Sequence, residues 1–275
     1  MIEFRNVWFK YDETEEYILK NINLVIEKGR IYSILGDNGS GKTTLIRHMN
    51  GLLKPTKGDV IVDEVNTRDI PISILSKKVA LVFQYPERMF FSPTVEEEIK
   101  YTLINFGFEG KELDERTDYI LKEFRLEDFR DRAPFSLSGG EQRRLSIAIA
   151  VSWDPDYIVL DEPTTGLDGE ARKDLTSTIE KILNRRRTVI IVSHDLEYLF
   201  ELSPHVILMN NGQIMFQGKF GELLENEDIV IKCGLSMPRI SLLLHFLKRD
   251  GNLNNLKYNE ILNLLLDKLG CTNYV

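Results

Sequence analysis

Residues 36–43 read Gly36-Asp37-Asn38-Gly39-Ser40-Gly41-Lys42-Thr43, after the apolar run Ile31-Tyr32-Ser33-Ile34-Leu35 and at the start of a helical pattern. Glycines at this spacing let consecutive backbone amides turn inward around an anion, and the helix behind them adds its positive end. In a loop of this pattern the closing lysine reaches the β- and γ-phosphates of a nucleotide and the hydroxyl residue holds Mg²⁺. Here those residues are Lys42 and Thr43, with Gly36, Asp37, Asn38, Gly39, Ser40, Gly41 and Thr44 supplying the cradle. A cradle entered from a buried strand and left by a helix constrains the chain to a layered α/β architecture.

The remaining hydrophobic pattern agrees. Residues 79–83, 157–160 and 188–192 form short, nearly unbroken apolar runs, as parallel strands buried on both faces require. Helical periodicity separates them: Leu45, Met49, Leu52 and Leu53, then Leu175, Ile179, Ile182 and Leu183, recur at i, i+4, i+7, i+8. Residues 2–9 and 22–26 show partial period-two alternation instead and predict antiparallel strands with one wet face. From about 86 to 153 the pattern is helical without a strong strand candidate. Residues 206–210, Asn211-Gly212 and 213–216 read as a hairpin closing the core. Ile240, Leu243, Leu244 and Leu247, then Leu262, Leu265, Leu266 and Leu269, give two further amphipathic helices. The expected organisation is α/β, with a mostly parallel sheet, an antiparallel β subdomain and an inserted helical subdomain within residues 1–220. A small C-terminal helical extension follows at 221–275.

Charge and cysteine content exclude several partner classes. The chain carries 35 basic and 43 acidic side chains, a formal charge of −8, and from Lys219 onward the two signs balance. The acidic excess therefore lies upstream, and the absence of a basic stripe argues against nucleic acid as a partner. The one dense cationic run, Arg185-Arg186-Arg187, reads as a helix C-terminus, where cations suit the macrodipole. Cys233 and Cys271 lack metal-ligand spacing, are too few for a disulfide scaffold and fit a reducing cytosol. No apolar run approaches the roughly 18 residues of a membrane helix, so a membrane span would come from another chain.

Leu160-Asp161-Glu162 closes a buried run with two adjacent carboxylates, a costly arrangement unless neutralised. A metal supplies that neutralisation. Asp161 is placed to bind Mg²⁺, and Glu162 to accept a proton from an attacking water.

Leu137-Ser138-Gly139-Gly140-Glu141-Gln142 resembles the signature loop of the ATP-binding cassette (ABC) ATPases, and that family's other segments occur in order. Gln84 ends a strand as the Q-loop glutamine does, Thr164-Thr165-Gly166-Leu167-Asp168 looks like the D-loop, and His194 follows a strand as the switch histidine does. Tyr11 is positioned like the aromatic that stacks on adenine. The resemblance covers about residues 1–220 and implies a P-loop NTPase core that hydrolyses ATP with Mg²⁺. It implies catalytic roles for Lys42, Gln84, Glu162 and His194, and metal contacts from Thr43, Gln84 and Asp161. Nucleotide contacts are implied for Tyr11, the 36–44 cradle, Ser138, Gly139, Gly140, Glu141 and Asp168. Physically the signature is a second anion site, a helix N-terminus whose helix buries Leu145, Ala148 and Ile149. In the family the signature of one subunit completes the phosphate site of another, so a head-to-tail dimer with a second ABC ATPase subunit, a copy or a paralogue, is implied.

A narrower match is carried by Gln84-Tyr85-Pro86-Glu87-Arg88-Met89-Phe90-Phe91 and Thr94-Val95-Glu96-Glu97-Glu98-Ile99. This looks like the energy-coupling factor (ECF) group of cobalt-type and vitamin-type importers, whose ATPases carry a short helix after the Q-loop and a C-terminal extension of similar length. Met89 stands where that group often has Gln. The resemblance implies an ATPase on the cytoplasmic face of the membrane, driving import of a vitamin or transition-metal ion, with transmembrane scaffold and substrate-binding subunits as partners. Two readings of Glu87, Glu97 and Glu98 stay open: acceptors of basic groups from the coupling helices of a membrane partner, or a solvated helix face. The alternatives are a subunit of another ABC transporter class, a soluble ABC ATPase acting in DNA repair or on the ribosome, and a nucleotide-sensing regulator. Soluble ABC machines generally carry long coiled-coil arms or two fused cassettes, for which 275 residues leave no room.

Overall fold

Two sheets organise the chain, and the central one is covered on both faces. The computed structural model describes residues 1–12, 15–239 and 241. The two amphipathic helices expected within 240–269, and Cys271, lie outside the described residues.

In the smaller sheet β1 (Ile2–Phe9) pairs antiparallel with β2 (Leu19–Ile26) on one side and with β4 (Lys57–Val62) on the other. A short β5 (Val65–Asn66) completes the order β2-β1-β4-β5. The alternation read from the sequence is realised: Ile2, Phe4, Val7 and Phe9 are buried together with Ile22, Leu24 and Ile26, and the intervening residues face outward.

The central sheet contains β3 (Ile31–Leu35), β6 (Val79–Val82), β7 (Tyr157–Asp161), β8 (Thr188–Val192), β9 (His205–Asn210) and β10 (Gln213–Lys219). Their order is β10-β9-β3-β8-β7-β6, parallel throughout except for β10. All residues of β7 and β8 are buried, and successive ones serve opposite faces. Ile158, Leu160, Val189 and Ile191 join one apolar cluster, while Tyr157, Val159, Ile190 and Val192 join the other. This two-sided burial is the physical reason for their unbroken apolar runs. Asn211 and Gly212, at φ 48° and 78°, form the tight turn between β9 and β10.

Helices fill both faces. α1 (Lys42–Met49) follows the cradle and stops sooner than its periodicity predicts. The chain turns left-handed at Gly51 (φ 76°), so Leu52 is exposed instead of continuing the buried face, although Leu53 still packs on the core. α2 (Ile72–Lys78) leads into β6. Between β6 and β7 lie a 3-10 turn at Pro86–Met89, α3 (Val95–Asn105), α4 (Gly110–Glu123) and α5 (Gly139–Val151), with no strand among the described residues. α5 buries Leu145, Ile147, Ala148 and Ala150; Ile149, expected on that face, is only partly covered.

α6 (Gly169–Asn184) ends at the cationic run. Arg185 closes that helix and pairs with Glu123 and Tyr119, and Arg187 meets Asp156 at 3.1 Å, so these cations are structural partners. α7 (Leu196–Leu202), α8 (Phe220–Leu224) and α9 (Glu227–Lys232) follow.

Candidate functional site

The cradle forms where β3 ends and α1 begins. Asp37 Oδ1 accepts from the Asn38 amide at 2.7 Å and the Asp37 carbonyl accepts from Ser40 at 3.2 Å, which closes the loop on itself. Lys42 Nζ folds back to donate to the carbonyls of Gly36 and Asp37, at 2.8 and 2.9 Å. Burial lowers the Lys42 pKa, opposed by the nearby carboxylates of Glu162, Asp161 and Asp37. The Ser40 hydroxyl is buried without a partner. The loop thus gathers the Lys42 ammonium and an unpartnered Ser40 hydroxyl at the start of a helix, groups suited to an anion.

The ends of β7 and β8 supply the opposite wall. Asp161 is buried, and its Oδ2 accepts from the Thr43 hydroxyl at 3.4 Å. Burial, and then the neighbouring Glu162 charge, push the Asp161 carboxyl up, as two adjacent buried carboxylates must. Glu162 takes φ 46° and its amide donates to the Val192 carbonyl at 2.9 Å, so the chain turns out of β7 toward the end of β8. Its Oε1 lies 2.9 Å from His194 Nδ1, and its Oε2 is buried without a partner.

The signature segment stands apart. At the start of α5 the Ser138 hydroxyl accepts from the Glu141 amide at 3.4 Å, and Glu141 Oε2 accepts from the Ser138 amide at 2.8 Å, a reciprocal cap. Asp168 caps α6 by accepting from the Ala171 amide at 2.9 Å. Ser138, Gly139, Gly140, Glu141 and Asp168 line one open groove to which no cradle residue contributes. The expected nucleotide residues therefore fall into two groups on one chain. Tyr11 lies beyond β1, edge-on to Phe9 at 4.9 Å, and the Thr44 carbonyl is bonded to His48 Nδ1 at 2.8 Å.

Residues 19–165 match the family described as ABC transporter. The chain belongs to the ABC transporter ATPase family. An ABC transporter ATP-binding protein of Pyrococcus abyssi is 46% identical over 218 residues, covering 79% of this chain and 83% of that one. The energy-coupling factor transporter ATP-binding protein EcfA2 of Clostridium perfringens is 40% identical over 243 residues, covering 86% and 85%. Among solved structures, CbiO1 of Clostridium perfringens, described as part of the ABC transporter complex CbiONQ, superposes with a TM-score of 0.77 at 29% identity over 89% of this chain and 98% of that one. The ATP-binding cassette MJ0796, solved as a dimer in a post-hydrolysis state with ADP and Pi, gives 0.70 at 32% identity over 80% and 99%. The chain is thus an ATP-hydrolysing subunit of a transporter.

Sequence reasoning passed over one residue of this ABC ATPase. Arg143, buried in the second turn of α5, donates to the carbonyls of Phe83 at 3.1 Å and Gln84 at 2.7 Å. One guanidinium thereby ties the helix that carries the signature to the backbone of the Q-loop glutamine, whose side chain is half-buried. The available signal was an arginine on the apolar side of that helix. Glu98 requires a correction. It is buried and accepts from the amides of Phe91 and Ser92, at 3.0 and 2.7 Å, so it pins the segment after the 3-10 turn and offers nothing to a partner. Glu97 is exposed, and the Glu87 side chain lies outside what is described.

Proposed function

We propose that this ABC ATPase powers an importer of the ECF type, for a vitamin or a transition-metal ion, from the cytoplasmic face of the membrane. The observation that carries the reading is the surface next to the Q-loop. Tyr85, Met89, Phe91 and Tyr101 are 44%, 52%, 61% and 51% exposed, with Phe91 edge-on to Tyr101 at 4.6 Å. Aromatic and apolar side chains gathered outside a core mark an interaction surface. The 3-10 turn at Pro86–Met89 stands where the ECF ATPases have a short helix after the Q-loop, and the EcfA2 and CbiO1 relatives support the same assignment. The partners on this surface are a transmembrane scaffold and a substrate-binding subunit; no described helix of this chain is long and apolar enough to cross a membrane.

Two cassettes, copies or paralogues, act head to tail. The separation of the signature groove from the cradle supports this, because each surface needs a complement that another subunit carries. Residues 1–220 form the cassette and 221–275 its extension. The cradle amides and Lys42 hold the phosphates, Tyr11 the adenine, and Ser138, Gly139, Gly140, Glu141 and Asp168 the partner's nucleotide. The Thr43 hydroxyl facing Asp161 at 3.4 Å is a hard oxygen pair that suits Mg²⁺, with Gln84 as its third protein contact. When bound, Mg²⁺ neutralises charge on the phosphoryl oxygens. Glu162 accepts the proton of the attacking water, His194 fixes the Glu162 carboxylate, and product release reopens the pair.

The test is an affinity pull-down of tagged protein from detergent-solubilised membranes of its source, with ATPase activity and subunits read from the eluate. A small polytopic scaffold and a substrate-binding membrane subunit are expected. A second cassette ATPase in the eluate identifies a heterodimer. Recovery of active soluble protein alone overturns the ECF importer assignment.

A further inference from the structure

The C-terminal extension has no part in the ATPase reading, yet its first residues reach the phosphate loop. Val230 and Cys233 are buried in the core, and the Lys232 carbonyl accepts from Asn210 Nδ2, at the end of β9, at 3.3 Å. The chain then turns at Gly234, φ 75°, against Asp37. A Cβ on Gly234 would stand 2.7 Å from Asp37 Oδ2, 2.9 Å from its Cγ and 3.0 Å from its Cβ, so the Asp37 side chain would have to move. Five residues on, the Arg239 amide donates to Glu197 Oε2 at 2.9 Å, in the helix that starts just after His194. Asp37, Asn38, His194, Glu197, Met237 and Arg239 line one cleft.

Residues 234–239 therefore run from the phosphate loop to the helix behind the switch histidine. Asp37 is the sensitive end of this contact. Its carbonyl holds Lys42 Nζ and the Ser40 amide, so a shift of Asp37 moves groups that would bind phosphate.

We propose that residues 234–239 are a strap that positions the phosphate loop, with Gly234 acting through Asp37, so that the C-terminal extension sets the nucleotide affinity of the cassette. Gly234 is a positioning residue, and the proposal rests on nucleotide binding by the cradle.

The test uses the full chain and a fluorescent ATP analogue, with KM and kcat from steady-state hydrolysis. Gly234→Ala is expected to weaken nucleotide binding and raise KM about threefold to tenfold, with kcat within about twofold. A left-handed backbone strains alanine independently of Asp37, so the double variant Gly234→Ala with Asp37→Ser separates the two effects. Measured against Asp37→Ser alone, it is expected to lose less affinity, because serine lacks the carboxylate oxygen that the methyl meets at 2.7 Å. Glu197→Leu, which frees the far end of the strap without touching Gly234, is expected to raise KM in the same direction and keeps the test open if Gly234→Ala fails to fold. Unchanged affinity in Glu197→Leu and Gly234→Ala, or an equal loss with and without Asp37→Ser, overturns the strap while the ATPase reading stands. Wild-type protein that binds no nucleotide overturns the cradle reading, and the strap with it.

Discussion

His194 Nδ1 stands 2.9 Å from Glu162 Oε1, just beyond the ends of the adjacent parallel strands β7 and β8. An ionised carboxylate only accepts, so in the neutral ring Nδ1 carries the proton. The bond holds one oxygen of Glu162 and leaves the other, Oε2, buried without a partner. An oriented carboxylate with one free oxygen is what a proton acceptor for water needs. Glu162→Gln keeps the shape and removes the basic oxygen, and we expect it to lower kcat by on the order of 10²- to 10⁴-fold while nucleotide still binds. Equilibrium binding and steady-state hydrolysis by the purified assembly check this. A Gln variant that hydrolyses ATP at the original rate rejects Glu162 in the role.

Arg143 satisfies two consecutive carbonyls at the exit of β6, those of Phe83 and Gln84. Methionine at this position fills similar space and deprives both part-buried acceptors of this donor, at a cost of about 1–3 kcal/mol each at most. It also unties α5 from the Q-loop. Arg143→Met is therefore expected to lower both the melting temperature and kcat, and Arg143→Lys, which can still donate to one carbonyl, to recover part of each. Melts and kinetics of the three proteins decide the matter: a wild-type kcat in the Met variant would mean that the bond to Gln84 has no bearing on turnover.

What was legible in the sequence was local. The strand runs at 31–35, 157–160 and 188–192 announce themselves because burial on both faces leaves no polar position, and Asn211-Gly212 carries its turn in its own backbone preferences. The cradle and the Asp161-Glu162 pair are likewise contiguous chemistry. β4 was not read, because Lys57-Gly58-Asp59 opens it with polar residues and only Val60 and Val62 are fully buried. Glu98 sits in a run of three glutamates that looks like a wet helix face, and only the distant amides it caps show otherwise. Arg143 and Gly234 act on residues about 60 and 200 positions away, beyond the reach of any periodicity.

Asp63 ties the antiparallel layer to the central sheet. Its Oδ1 accepts from the Met1 ammonium at 2.7 Å and the Tyr157 hydroxyl at 2.8 Å, and Lys28 Nζ lies 2.9 Å from Oδ2. Burial raises its pKa, but the hydrogen bonds from the N-terminus, Lys28 and Tyr157 together hold the carboxyl well below the usual range. A depressed carboxylate stabilises the fold above the unfolded-state value near 4, and that contribution is lost as the pH falls through the folded-state value. Asp63→Asn retains a residue that tolerates φ 46° and removes the charge. We expect it to destabilise the protein by about 1–3 kcal/mol at neutral pH, with the difference from wild type shrinking below roughly pH 4. Urea titrations at several pH values measure both, and a pH-independent difference would show that the charge contributes nothing.

His48 sets a second loss of stability on acidification, in a window above that of Asp63. It is fully buried on α1, with Nδ1 bonded to the Thr44 carbonyl at 2.8 Å, Nε2 without a partner and the ring edge-on to Phe9 at 4.7 Å. Burial lowers its pKa from 6.5 to about 4, against the Thr44 bond and with a smaller push from Arg68. In the unfolded chain the imidazole takes up a proton as the pH falls through 6.5, whereas the folded protein refuses it until about 4. The unfolded state therefore holds more protons across this window, and stability falls as the solution is acidified. At 1.36 kcal/mol per unit, the loss from this residue reaches about 2 kcal/mol by roughly pH 5. His48→Leu removes the titration and keeps an apolar side chain beside Phe9. Urea unfolding at about pH 7.5 and about pH 5 is expected to show the wild type losing roughly 2 kcal/mol more than the variant over this interval. Equal losses would mean that His48 takes up its proton in the folded protein as readily as in the unfolded chain.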